Sequence, residues 1–117
     1  MTSREIGELQ QDVCRRFRAQ FDPVTEDMTV GIALNVRGTT EHINGLRHRP
    51  EGHTAGWYIW AGQEFSEAGD FFKPLHVTHL KNWCPQVLKY LALPPGWRFL
   101  VARNYEDVWF DPSLLAV

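Results

Sequence analysis

GWYIWAGQE, residues Gly56–Glu64, places three aromatic rings and an isoleucine at four consecutive positions. In an extended chain, Trp57 and Ile59 lie on one face, and Tyr58 and Trp60 lie on the other. A strand with one face in water alternates large apolar residues with polar ones, and this segment does not. We therefore expect its second face to be covered, either by another layer of the same protein or by a partner.

The sequence around this segment predicts further strands. The turn RPEGHT (49–54) is separated from this segment only by Ala55 and indicates a β-hairpin whose approach strand lies around residues 45–49. Near the C-terminus, GWRFLVA (96–102) and YEDVWFD (105–111) indicate a second hairpin. Upstream, MTVGIALNV (28–36) alternates and predicts a strand with one buried face. That face carries Met28, Val30, Ile32, Leu34 and Val36.

An amphipathic helix is predicted at the N-terminus, over TSREIGELQQDVCRRFRAQF (2–21). Thr2 and Glu5 form a T-x-x-E capping box at its start. The helix should end near Phe21, because Pro23 and turn residues follow. Its apolar face carries Ile6, Leu9, Val13 and Phe17.

A second helical region is predicted over HVTHLKNWCPQVLKYLAL (76–93). Pro85 must occupy a first turn, so we expect a short helix, a break near Cys84 and a longer helix after it. The apolar positions at helical spacing are Leu80, Trp83, Val87, Leu88 and Leu91.

These elements predict an α+β fold in a single domain, residues 1–117. The sheet should be mainly antiparallel, with about five strands, because tight turns join consecutive strands. An N-terminal helix and a second helical segment between the hairpins complete the fold. We expect both helical regions to pack on the same face of the sheet.

Composition limits the classes of function. Hydrophobic residues make up 44% of the chain and the net charge is -2, which supplies core material but no basic surface for nucleic acid. The sequence contains no apolar run of membrane-spanning length and no signal-peptide core. Cys14 and Cys84 fall in apolar helical patterns and are expected to be buried and reduced. These features favour a soluble cytoplasmic protein with no membrane or nucleic-acid partner.

Candidate catalytic and metal-binding groups are few. His76 and His79 could hold a metal from one helix face, but zinc needs three or four ligands. Glu64 and Asp70 could form a carboxylate pair for acid–base chemistry. Cys84 near a helix start could have a lowered pKa, whereas its apolar neighbourhood favours a structural thiol. No P-loop, dinucleotide fingerprint or hydrolase elbow occurs in the sequence.

We therefore expect no catalytic residues, no metal and no cofactor. A small enzyme, or a metal- or ligand-binding domain that uses His76, His79 and the loop carboxylates, stays open as an alternative.

The aromatic and acidic residues can also be interpreted as a contact surface. Helices on one side of the sheet would leave Tyr58 and Trp60 on the less covered side, and exposed aromatic side chains mark binding sites. The loop after Gly62 and the last strand add carboxylates that would complement a basic partner. The predicted partner-binding residues are Tyr58, Trp60, Glu64, Glu67, Asp70, Asp107 and Trp109, with Glu106 and Asp111 as further carboxylates.

Two alternatives for Tyr58 and Trp60 remain at this point. A helix or a loop could cover them, which would make them part of the core. They could also meet a second copy of the chain across a twofold axis in a homodimer.

Three stretches resemble a bacterial family of immunity proteins from polymorphic toxin systems. They are AGWYIWAGQE (55–64), DFFKPLHVTHL (70–80) and LPPGWRFLVARNYEDVWFD (93–111). The resemblance rests on a G-W-x-hydrophobic-x-x-G-x-E core, a downstream helix and an aromatic-rich ending before an aspartate. The matching positions are Gly56, Trp57, Gly62, Glu64, Trp97, Phe99 and Asp111.

The resemblance implies a non-catalytic protein that binds and neutralises a cognate toxin domain in the cell that must be protected. It implies no cofactor. A regulatory adaptor that binds some other protein would share the surface and stays open as a further alternative.

Overall fold

The computed structural model describes residues 2–37, 42–62 and 71–116. Within these ranges the predicted α+β class is confirmed, with two α-helices and six strands. The elements are α1 (Ser3–Arg16), β1 (Thr29–Ala33), β2 (Ile43–Arg47), β3 (Thr54–Ala61), β4 (Phe72–His76), α2 (Val77–Trp83), β5 (Trp97–Ala102) and β6 (Tyr105–Phe110), with 3-10 helices at Leu34–Val36, Pro85–Tyr90 and Pro112–Leu115.

The start of α1 follows the sequence pattern. The Glu5 N–H donates to the Thr2 hydroxyl at 3.1 Å, and the Thr2 N–H donates to the Glu5 carboxylate at 3.2 Å. This reciprocal capping box satisfies two backbone donors that the first turn of a helix leaves unpaired.

The end of α1 comes earlier than predicted, at Arg16 instead of near Phe21. Arg18 adopts a left-handed conformation with φ 57°, and the Ala19 N–H donates back to the Cys14 carbonyl at 2.8 Å. Glycine usually occupies the left-handed position of such a helix terminus. Because an arginine stands there, the sequence carries no visible stop signal.

The strands form one sheet in the order β4-β1-β3-β2-β5-β6. Both predicted hairpins are present as antiparallel pairs, β2 with β3 and β5 with β6, whereas β1 runs parallel to β3. The strand that the sequence did not predict is β4, which pairs antiparallel with β1 at the edge. Its central residue, Pro74, argues against a strand by pattern, and an edge is where a sheet tolerates proline.

Two boundaries differ from the sequence expectation. β1 ends at Ala33, and Leu34 is 59% exposed because a 3-10 helix begins there. The break at Cys84 is confirmed, but the segment after it is the 3-10 helix Pro85–Tyr90 rather than a longer α-helix. Most side chains between residues 87 and 93 are buried, so tertiary packing overrides the helical period there.

Both helical regions pack on the same face of the sheet, which we call the helix face. From β3 this face receives Trp57 and Ile59, and the Trp57 indole N–H donates to the Leu91 carbonyl at 3.0 Å. The predicted common face is thus confirmed, although Leu9 is 39% exposed. The helical residues in this core include Val13, Leu80, Val87 and Leu91.

Arg47 is buried on the helix face, where it is 1% exposed. Its guanidinium donates to the carbonyls of Ala55 at 2.9 Å, Asp22 at 2.9 Å and Leu93 at 2.7 Å. It also lies 5.9 Å from the centroid of the Trp57 ring. Burial lowers the pKa of Arg47, yet a guanidinium stays protonated in proteins. One cation therefore joins β2 and β3 to two loop segments.

The opposite side of the sheet, which we call the second face, carries a smaller apolar cluster. Leu114 belongs to this cluster because the 3-10 helix Pro112–Leu115 folds back over the sheet. The Ser113 N–H donates to the Asp111 carboxylate at 3.1 Å and caps this turn. The buried members are Ala33, Leu46, Trp60 and Leu114, with Tyr58, Phe71 and Phe72 packed against them.

Candidate partner-binding surface

The aromatic pair of β3 is largely internal. Trp60 is 4% exposed, and its ring centroid lies 6.2 Å from that of Phe72. Tyr58 is half-buried between the rings of His48 and Phe72, at centroid distances of 5.7 and 5.3 Å. The expectation of an exposed aromatic patch is therefore wrong for Trp60. The alternative that another segment of the chain covers it is correct, and Leu114 belongs to that segment.

The acidic residues Glu64, Glu67 and Asp70 lie in residues 63–70, outside the described part of the chain. The point at which this segment leaves β3 is defined. The Asn44 side-chain amide on β2 donates to the Gly62 carbonyl at 2.7 Å. The prediction that these three carboxylates contact a partner stays a prediction.

Asp107 and Trp109 lie together on β6, at the edge of the sheet and on its second face. Arg98 stands opposite Trp109 on β5, and its guanidinium lies 5.4 Å from the centroid of the Trp109 ring. Trp109 is half-buried as a result, while Asp107 is exposed. Among the ion pairs of the described ranges, none includes Asp107. The structure thus brings two of the predicted contact residues onto one solvent-facing strand.

Two further aromatic residues of β6 were missed by sequence reasoning. Tyr105 is 54% exposed and Phe110 is 47% exposed. Their hairpin was predicted, but its position at the sheet edge was not, and that position is what exposes them. Tyr105 lies on the second face with Asp107 and Trp109, whereas Phe110 lies on the helix face beside Trp97. We call these four residues the β6 surface, since they border the same edge of the sheet.

The carboxylate of Glu106 has partners within the protein. It accepts hydrogen bonds from Arg16 at 2.9 and 3.3 Å and from the Tyr90 hydroxyl, and it lies 3.8 Å from the Lys89 ammonium. The bonds from Arg16 lower the pKa of Glu106. Burial, followed by the neighbouring Glu106 carboxylate, raises the pKa of Tyr90. The Glu106 carboxylate is therefore engaged within the protein, where it joins β6 to α1 on the helix face.

Asp111 is also occupied. It accepts hydrogen bonds from the Ser113 hydroxyl at 2.6 Å and from Arg98 at 3.2 Å. These bonds, that from Ser113 first, lower the pKa of Asp111. Of the three C-terminal carboxylates considered from the sequence, Asp107 is the one whose charge remains available to a partner.

The candidate catalytic groups do not assemble in the described part of the chain. His76 ends β4 and His79 lies in the first turn of α2, with ring centroids 6.4 Å apart. The described residues contain no group of three histidine, cysteine or carboxylate side chains that could hold a metal ion. Cys84 is buried, and burial raises its pKa to about 11, which supports its interpretation as a structural thiol.

The fold and this surface define a class: a small α+β domain with helices on one face of an open sheet and an aromatic strand at one edge. Residues 9–111 match the family described as the Imm33-like domain. The chain belongs to this family, which is immunity-protein-like. No curated protein and no solved structure matches the chain. No helix in the described ranges is long and apolar enough to cross a bilayer.

Proposed function

We propose that this protein is an immunity protein that binds a cognate toxin domain and neutralises it without catalysis. The observation that carries the proposal is the match of residues 9–111 to the Imm33-like family. The protein would act in the cytoplasm of the cell that must be protected, where it would hold the toxin in an inactive complex.

The β6 surface is the part of the described chain that best suits such a complex. Tyr105, Trp109 and Phe110 offer large aromatic area, and aromatic residues dominate the energetics of protein interfaces. Asp107 adds an available negative charge, which would select a basic surface and speed the encounter. Trp60 is excluded from this surface by its burial. We propose Glu64, Glu67 and Asp70 as additional charged contacts.

Neutralisation would follow from occlusion. A protein that covers a toxin's active surface needs no chemistry of its own. It needs only a Kd below the concentrations of the two proteins in the cell. A basic toxin domain would be attracted over a Debye length of about 8 Å at physiological salt. The aromatic residues would then slow dissociation, because most affinity differences lie in the dissociation rate.

Co-expression tests this proposal directly. The product of the gene next to this one is induced as the candidate toxin in a sensitive bacterial host, with and without this protein. We expect growth to be restored when the protein is present and a stoichiometric complex to co-purify. Persistent growth arrest in cells that contain folded, soluble protein would contradict the proposal.

A toxin domain of an unrelated family serves as the control. Because specificity is a difference of affinities, this protein should leave that toxin fully active. Protection against both toxins would indicate a general effect on the host rather than immunity.

A further inference from the structure

The two edges of the sheet are built differently. β4 forms one edge and carries Lys73 and Pro74, both exposed. A lysine and a proline on an edge strand are two devices that prevent pairing with another chain. β6 forms the other edge, and its sequence YEDVWF contains neither residue. β6 is therefore the edge that stays competent for strand pairing.

The backbone of β6 that points outward can be identified residue by residue. The Asp111 N–H donates to the Gly96 carbonyl at 2.6 Å, at the open end of the β5–β6 pair. In an antiparallel pair, hydrogen-bonded and non-hydrogen-bonded residue pairs alternate. Continuing this alternation along the register of the β5–β6 pair turns the N–H and C=O groups of Glu106, Val108 and Phe110 away from β5. Within the described ranges, no other strand lies beyond them.

We propose that β6 receives an extended segment of the toxin as an added strand, which extends the sheet beyond this edge. This inference rests on the proposed function and assigns its mode of binding. Strand addition supplies affinity through main-chain hydrogen bonds and specificity through alternate side chains. Here the outward groups of Glu106, Val108 and Phe110 form the ladder.

The side chains on the second face define the chemistry of the added segment. Asp107 projects between Tyr105 and Trp109, and no ion pair within the described ranges neutralises it. Opposite charges directly across two strands stabilise their pairing. The segment therefore carries a lysine or arginine across from Asp107, with apolar residues placed to meet the two aromatic rings.

A second copy of this chain fits the edge less well. A twofold register centred on Asp107 would set two like charges against each other, which is destabilising. A register centred on Val108 would place each Asp107 carboxylate against the ring of Trp109 instead of a cation. The charge of Asp107 thus favours a partner of different sequence.

Residue-resolved amide hydrogen exchange tests this inference, measured on the protein alone and on its complex with the toxin domain identified by the growth-rescue experiment. In the free protein, the amides of Glu106, Val108 and Phe110 should exchange faster than those of Asp107 and Trp109, which bond to β5. In the complex, the three fast amides should slow by about tenfold or more, since exchange then requires the added strand to open. Docking on either face of the sheet would not produce this alternation.

The other outcomes are distinguishable. A complex in which the three amides stay fast overturns strand addition and leaves the immunity function intact. Slow amides in the free protein that become fast on dilution show that a second copy occupies the edge, which also overturns it. Absence of any complex, together with absence of growth rescue, overturns the proposed function and this inference with it.

Discussion

The guanidinium of Arg16 on α1 donates two hydrogen bonds, at 2.9 and 3.3 Å, to the carboxylate of Glu106 on β6. The Tyr90 hydroxyl donates to the same carboxylate. The N-terminal helix and the last strand are thus joined by one charged group, which supports the edge strand that we propose as the binding site.

Replacing Glu106 by glutamine should lower the free energy of unfolding by about 1–2 kcal/mol, because hydrogen bonds to a charged group are lost. The Arg16 side chain is 44% exposed, so solvent screens part of the ion pair. Tyr90→Phe is the matched control, which keeps the Arg16 pair and removes one donor. Urea unfolding of both variants checks the prediction, and an unchanged midpoint for Glu106→Gln would contradict it.

The same carboxylate makes stability depend on pH. The pKa of Glu106 is lowered in the folded state, mainly by the bonds from Arg16. The ion pair of Glu106 therefore stabilises the fold fully above the pKa of an unfolded glutamate, ~4.3. This stabilisation is lost as pH falls through the lower folded pKa. The stability difference between wild type and Glu106→Gln should shrink as pH falls through this range. A stability difference that grows on acidification would contradict the lowered pKa of Glu106 in the folded state.

Two tryptophans on the second face should respond oppositely to truncation. Trp60→Ala should cost about 3–5 kcal/mol of folding stability, as buried aromatic deletions do. Trp109→Ala should cost much less stability but weaken toxin binding by about 2 kcal/mol or more. Thermal melts and binding titrations of both variants separate the roles. A Trp60→Ala variant that melts like wild type and fails to bind the toxin would show that Trp60 is a contact residue and not a core residue.

Arg47 offers a test of the core. Arg47→Met keeps the apolar stem and removes the donors to the carbonyls of Ala55, Asp22 and Leu93. Each buried acceptor left without a partner costs about 1–3 kcal/mol, so we expect a loss of about 3 kcal/mol or more. Arg47→Lys should recover little, because an ammonium lacks the planar fork that reaches several carbonyls. Full stability of Arg47→Lys in denaturant titrations would show that charge alone suffices.

How far the sequence predicts this fold depends on whether the signals are local. The capping box at Thr2 and Glu5, both hairpins and the break at Cys84 follow from short-range patterns. β4 was missed because Pro74 argues against a strand unless the strand is known to lie at an edge. The early end of α1 was missed because Arg18 takes a position that glycine usually signals.

The candidate site was predicted only in part, for a topological reason. Asp107 and Trp109 were identified from the aromatic and acidic end of the chain, whereas Tyr105 and Phe110 were not. Their exposure follows from the strand order, which places β6 at an edge. The sequence left the burial of Trp60 open, because nothing in the pattern of β3 shows that Leu114 belongs to the same cluster.

Asp107→Lys should mainly slow association with a basic toxin domain. A charge at the rim of an interface steers the encounter, so the association rate should fall and added salt should reproduce part of the loss. Glu8→Lys is the control, since Glu8 is also exposed and belongs to α1 instead of β6. Stopped-flow association rates check the prediction. Equal rates for Asp107→Lys and wild type would show that Asp107 takes no part in toxin binding.

Equilibrium binding of the purified protein to the purified product of the neighbouring gene, tested as its toxin, checks the central claim most directly. An immunity protein must hold its toxin at cellular concentrations, so we predict a Kd of about 1 nM or tighter. Titration calorimetry at physiological salt, with folding of both proteins verified beforehand, provides the measurement. At concentrations of about 10 μM, titration detects any complex with a binding free energy of about -7 kcal/mol or stronger. The absence of detectable binding there would contradict the assignment as an immunity protein.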